Sequence, residues 1–116
     1  MNLAIIGSRT FNDYALMADT IFEYLTPIDF ILNIISGGAK GADTLADNFA
    51  ENNEIPSTVY KPEWEKYGRS AGFIRNQLIV DNCDMVLAFW DGESRGTADT
   101  IEKAKKAKKP TFIVYY

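Results

Sequence analysis

Two hydrophobic periods alternate along the chain. Leu3-Ala4-Ile5-Ile6 is a short continuous apolar run that ends in Gly7-Ser8-Arg9, the pattern of a strand covered on both faces. Asn12 or Asp13 then offers a helix N-cap, and Tyr14, Met17, Ile21 and Leu25 recur at helical spacing until Pro27. Phe30 to Ile35, interrupted by Asn33, predicts a second strand. Ala42, Leu45, Ala46 and Phe49 share one face of a helix predicted from Ala42 to Asn53, and Pro56 follows it. Ser57 to Tyr60 reads as a third, short strand. Lys61 to Arg69 breaks the pattern with Pro62, Trp64, Tyr67 and Gly68 among charges, and reads as a loop or a single helical turn. Ser70 to Asn82 predicts a helix carrying Ile74 and Leu78. Met85 to Phe89 is the most apolar run and reads as a central strand. Trp90 to Gly96 is a polar loop, Thr97 to Lys108 a last helix stopped by Pro110, and Thr111 to Tyr116 a final strand.

Five strands alternating with four helices define an α/β chain. Right-handed βαβ connections place all strands in one parallel sheet with helices on both faces, a three-layer architecture. With 116 residues and no linker or repeat, residues 1–116 are read as a single domain.

Charge and rare residues narrow the chemistry. The formal charge of −4 argues against bulk nucleic-acid or anionic-membrane binding. No apolar run reaches the ~20 residues that span a bilayer. The opening segment is strand-like and lacks the basic region of a signal peptide, and a single cysteine, which allows no internal disulfide, makes a reducing cytoplasm the expected compartment. Cys83 is the one cysteine and is read as core packing. There is no histidine, which removes Ser-His-Asp and Cys-His catalysis and histidine or multi-thiolate metal sites. No metal and no required cofactor is expected.

In open parallel sheets, ligands bind beyond the carboxyl ends of the strands. Four segments meet on that rim: Gly7-Ser8-Arg9-Thr10, Ser36-Gly37-Gly38-Ala39-Lys40-Gly41-Ala42-Asp43, Pro62 to Arg69, and Asp91 to Thr97. The second is glycine-rich and feeds a helix, so its backbone N–H groups and the helix dipole can meet a phosphate. A tight strand-to-helix turn without a ligand explains the same residues. Ser8, Ser36 and Thr97 add hydroxyls, and Arg9, Lys40, Arg69 and Arg75 add charge. Gly96-Thr97 opens a second helix. Asp43 is either an acceptor for a ribose hydroxyl or a first-turn residue favoured by the dipole. The spacing is neither the dinucleotide G-x-G-x-x-G after a first strand nor a P-loop, because no G-K-[ST] follows. The run Lys103 to Lys109 suits the last turn of a helix.

Gly7-Ser8-Arg9, Ser36 to Asp43, Gly72-Phe73-Ile74-Arg75-Asn76 and Gly96-Thr97, in this order, resemble the SLOG superfamily, and more closely its small YspA-like branch. The resemblance implies a Rossmann-like sheet of order 3-2-1-4-5. It also implies a pocket for a nucleotide-derived ligand such as ADP-ribose, an NAD derivative or a nucleoside monophosphate, sensed or processed. The site residues it implies are Gly7, Ser8, Arg9, Ser36, Gly37, Gly38, Lys40, Gly41, Asp43, Arg75, Asn76, Gly96 and Thr97. The related LOG phosphoribohydrolases carry an Arg that Arg75 matches and a Pro-Gly-Gly-x-Gly-Thr-x-x-Glu motif that Gly96-Thr97 matches in part. Thr100 stands where that motif has its Glu. A glycosidic hydrolase would need a carboxylate at the anomeric carbon, for which Asp91, Glu93 and Asp99 are candidates. The DprA family shares the glycine loop and binds single-stranded DNA, but this chain is acidic. Related domains often pair, and Tyr115-Tyr116 is in keeping with a homodimer.

Overall fold

The structure is a computed structural model that describes residues 1–116. Five strands, β1 (Asn2–Gly7), β2 (Asn33–Ser36), β3 (Ser57–Val59), β4 (Met85–Trp90) and β5 (Thr111–Tyr115), form one sheet. Its order is β3-β2-β1-β4-β5, with every pair parallel. The helices are α1 (Tyr14–Thr20), α2 (Ala42–Asn52), α3 (Trp64–Tyr67), α4 (Ala71–Asn82) and α5 (Arg95–Lys106).

The period of two in the central strands divides the core. Leu3 and Ile5 of β1, Ile34 of β2, and Leu87 and Phe89 of β4 point to one face, where Met17, Ile21, Ala46 and Phe49 of the α1 and α2 segments cover them. Ala4 and Ile6, Ile35, and Val86 and Ala88 point to the other, under Ile79, Val80, Ile101 and Ala104 of α4 and α5. Cys83 is buried in this second layer, its thiol pushed above its ordinary pKa by burial. Strands apolar at every position are thus explained: both faces are buried.

Three stretches differ from the sequence expectation. The second strand starts at Asn33, not Phe30. After Pro27 the chain makes a 3-10 turn, Ile28–Phe30, and of the three residues from Phe30 to Leu32 only Ile31 reaches the core, while Phe30 and Leu32 are exposed. A hydrophobic run consumed by a turn has no period by which a strand is recognised. The first helix widens into a π turn at Ile21–Leu25, next to Thr20, whose hydroxyl donates to the carbonyl of Leu16 at 2.6 Å. The last helix begins at Arg95, two residues ahead of the expected Thr97; Ser94 stands at the N-cap position without a side-chain cap bond, and its carbonyl accepts from the Ala98 N–H. The aromatic segment after β3 holds the single turn α3 and a 3-10 turn, Gly68–Ser70.

Candidate functional site

The connections after β1, β2 and β4 rise on the same rim because the strands are parallel. Gly41 makes the packing of the first two work. It has φ +78, and a Cβ there would lie about 2.5 Å from the Ser8 carbonyl oxygen and 2.6 Å from the Arg9 backbone. Only glycine lets the second loop lie directly on the first. The Ala42 N–H then donates to the Ser8 carbonyl. On the other side, the Ser8 N–H donates to the Phe89 carbonyl at 2.9 Å, and its Oγ accepts from the Asp91 N–H at 3.2 Å.

These loops, the middle of α4 and the first two turns of α5 enclose a cleft of about 350 Å³. Ile6 and Ile79 supply its apolar part, and polar groups and glycine line most of the rest. Arg9 and Arg75 both reach it, and their like charges oppose one another. Thr10, Ser94, Thr97 and Thr100 line it together with Ser8. The first N–H groups of α5, from Arg95 to Thr97, have no carbonyl of their own helix to meet, and Gly96, which lines the cleft, has open space where a Cβ would sit.

A polar chain ties the walls together. Arg75 Nη1 donates to the Gly37 carbonyl, and Nε donates to Asn76 Oδ1 at 2.9 Å. Asn76 Nδ2 in turn donates to the Gly96 carbonyl at 3.3 Å and to Asp99 Oδ2 at 3.1 Å. Asp43, 5% exposed, accepts from the Ala39 N–H at 3.0 Å. Burial raises its carboxyl pKa to about 6, against the opposing pull of the Ala39 N–H and the Arg75 charge. Burial also lowers the pKa of Arg75 from its ordinary value, against the stabilising charge of Asp43.

Nine of the expected binding residues meet in the cleft: Gly7, Ser8, Arg9, Gly37, Asp43, Arg75, Asn76, Gly96 and Thr97. Four do not line it. Ser36 is fully buried and donates to Asp47 Oδ1 at 3.1 Å. Gly38 faces Val59 and Lys61, and Gly41 packs on the Ser8-Arg9 backbone. Lys40 is exposed outside it.

Among the carboxylates considered for catalysis, Asp91 lines the cleft. Its Oδ1 accepts from the N–H groups of Glu93 and Ser94 at 2.9 and 2.8 Å, and these bonds hold its pKa below the ordinary value. Glu93 lies outside the cleft, and Asp99 is paired with Lys103 at 2.6 Å. Thr10 and Ser94, expected on the rim as parts of their segments, and Thr100, at the motif's Glu position, also line the cleft, though none was among the expected binding residues. The N-cap preference of serine was a signal for Ser94. The i, i+3 spacing from Thr97 was one for Thr100, and the place of Thr10 in the segment after the first strand was one for Thr10.

Fold and rim together define a Rossmann-like α/β domain with a polar cleft at the carboxyl ends of its strands. Residues 1–67 match the model of the YspA, cpYpsA-related SLOG family (YAcAr), and the chain belongs to that family. It is 33% identical over 114 residues to the Gene 61 protein of Mycobacterium phage D29, an alignment covering 93% of this chain and 91% of that protein. Among solved structures it is similar to DNA processing protein A (DprA) from Streptococcus pneumoniae, with a TM-score of 0.76 and 22% identity. That superposition covers 97% of this chain and 49% of the other, so the chain spans about half of DprA and shares its fold. No helix is long and apolar enough to cross a membrane.

Proposed function

We propose that this domain binds a nucleotide-derived ligand of the ADP-ribose, NAD-derivative or nucleoside-monophosphate class, as a sensor or processor of it in the cytoplasm. The observation that carries this reading is the convergence in one small cleft of two guanidinium groups, several hydroxyls and the free N–H groups opening α5. Two like charges side by side are costly until an anion lies between them, and a helix start supplies directed donors for phosphate. The anion seat in this reading is the α5 start, with Arg75 and Arg9 on the opposite wall.

Titration calorimetry with AMP, ADP-ribose and NAD tests it. At least one should bind, and Arg75→Ala should weaken that binding by about tenfold or more, since hydrogen bonds to charged groups contribute ~1.5–3 kcal/mol. No heat from any of the three, with the protein folded by circular dichroism, removes the reading.

A glycosidic hydrolase is the second reading, favoured by Asp43. With a pKa near 6 and a place in the cleft, Asp43 has the proton affinity that acid–base catalysis uses. Asp91, Glu93 and Asp99 are bound to their own loop, outside the cleft or ion-paired. Release of free base from AMP or NAD by the wild type, lost in Asp43→Asn, supports it; intact substrate after long incubation disposes of it.

The DNA connection named for DprA has weaker support in this chain. The basic run near the C-terminus is partly spent: Lys103 pairs with Asp99, Lys106 with Glu102, and Lys109 donates to the Val80 and Cys83 carbonyls.

A further inference from the structure

Across the Gly37-Gly38 turn from the cleft lies a second hollow, of about 530 Å³, between the end of β3 and the α3–α4 segment. Tyr60, Pro62, Tyr67 and Leu78 line it, with Lys61 and Lys66 exposed beside them. Arg75 belongs to both hollows. Its Nε and Nη1 are occupied by Asn76, Gly37 and Tyr60, whereas Nη2 donates to no protein acceptor. The guanidinium thus stands on the divide with one nitrogen unspent. The divide itself is two glycines: the Cα of Gly37 faces Arg75 and Asp43, and that of Gly38 faces Val59 and Lys61. Neighbouring side chains lie over both glycines, so the way from one hollow to the other runs past Arg75.

We propose that the second hollow takes the other half of a diphosphate-linked dinucleotide, whose phosphates lie at Arg75, the residue the two hollows share. This rests on the cleft being the seat of the first nucleotide unit. The walls select the occupant. Tyr67 is 39% exposed and carries the Lys66 ammonium 5.0 Å from its ring centroid, so a base stacks there by displacing a flexible, exposed lysine. Lys61, Lys66 and Arg75 face a single acid, Glu63, so the hollow favours a group that carries phosphate. A continuing nucleic-acid strand would leave these cations for the surface of a chain with net charge −4. A ligand of two units fills the paired hollows and stops.

The experiment is calorimetry with AMP, NAD and a phosphodiester-linked deoxyadenosine dinucleotide on the wild type, Tyr67→Ala and Tyr67→Phe. NAD should bind about tenfold tighter than AMP, the scale of one stacked base. Tyr67→Ala should bring NAD down to the affinity of AMP, and Tyr67→Phe should retain the difference. Equal affinity of NAD and AMP for the wild type overturns the proposal. So does an equal loss for both in Tyr67→Ala, or a phosphodiester dinucleotide that binds as tightly as NAD. In each of these cases AMP binding leaves the cleft reading in place. Absence of binding by all three ligands removes the cleft reading and the second hollow with it.

Discussion

The two walls of the cleft are built alike and finished differently. Each is a glycine-containing connection that feeds a helix: Ser36 to Asp43 into α2, and Asp91 to Thr97 into α5. In the first wall the polar groups are turned on one another. Asp43 takes the Ala39 N–H, Arg75 takes the Gly37 carbonyl, and Thr44 donates to the Ala39 carbonyl. In the second, Asp91 holds the N–H groups of Glu93 and Ser94, and the amides from Arg95 to Thr97 remain free beside the hydroxyls of Thr97 and Thr100. Glycine content therefore does not rank the two as anion seats. What ranks them is which donors the fold has already used. The loop richer in glycine is the braced wall, and the plainer one offers the donors. The match to the family model, over residues 1–67, takes in the braced wall and ends ahead of the other.

The contrast can be broken most sharply at glycine. Gly41→Ala places a Cβ against the Ser8-Arg9 backbone at positive φ, so urea unfolding should show a loss of about 3 kcal/mol or more. A loss below ~1 kcal/mol would mean that the braced wall relaxes freely.

Asp43 gives the next effect, through pH. Its folded pKa, about 6, lies above the unfolded value of 3.8. The folded state therefore holds the extra proton between these values, and this group's contribution to stability falls as pH rises from about 4 to about 6. The full swing is on the order of 2–3 kcal/mol. In Asp43→Asn that part of the pH dependence should vanish, seen as a changing difference between the two unfolding curves across that window. A constant difference would show that Asp43 titrates as an exposed carboxylate does. An anion beside Arg75 also disfavours the Asp43 charge, so a diphosphate ligand should bind more tightly at pH 5.5 than at pH 7.5, with proton uptake measurable by calorimetry in buffers of different ionisation heat.

The smallest effect has the opposite sign to the first. Gly96→Ala has open space for its Cβ within the first turn of α5. It should leave stability unchanged or raise it by about 0.5 kcal/mol, while weakening anion binding by crowding the free amides. Ligand affinity equal to wild type would move the anion seat away from α5.

Much of the fold was legible in the residues, because buried strands announce themselves. Leu3 to Ile6 and Met85 to Phe89 are apolar at every position, and each returned as a central strand with one residue set per core layer. Phe30 to Leu32 misled for the same reason: apolar residues in a turn look like apolar residues in a strand. The site was legible by segment and less so by residue. Gly7-Ser8-Arg9, Arg75-Asn76 and Gly96-Thr97 do line one cleft. Ser36, Gly38, Lys40 and Gly41 belong to the same motif yet face core, neighbouring backbone or solvent.

What the chain determined by itself was periodicity and punctuation: where apolar residues repeat every two or every three to four positions, and where glycine and proline stop them. These are local properties of a polymer in water, and they suffice for five strands in a covered parallel sheet. Only the tertiary structure decided which donors stay free. That depends on pairs far apart in sequence, such as Arg75 with Gly37, Asn76 with Gly96, and Gly41 against Ser8. A hydrogen bond used inside the fold and one left for a ligand are written with the same residues, and packing alone tells them apart.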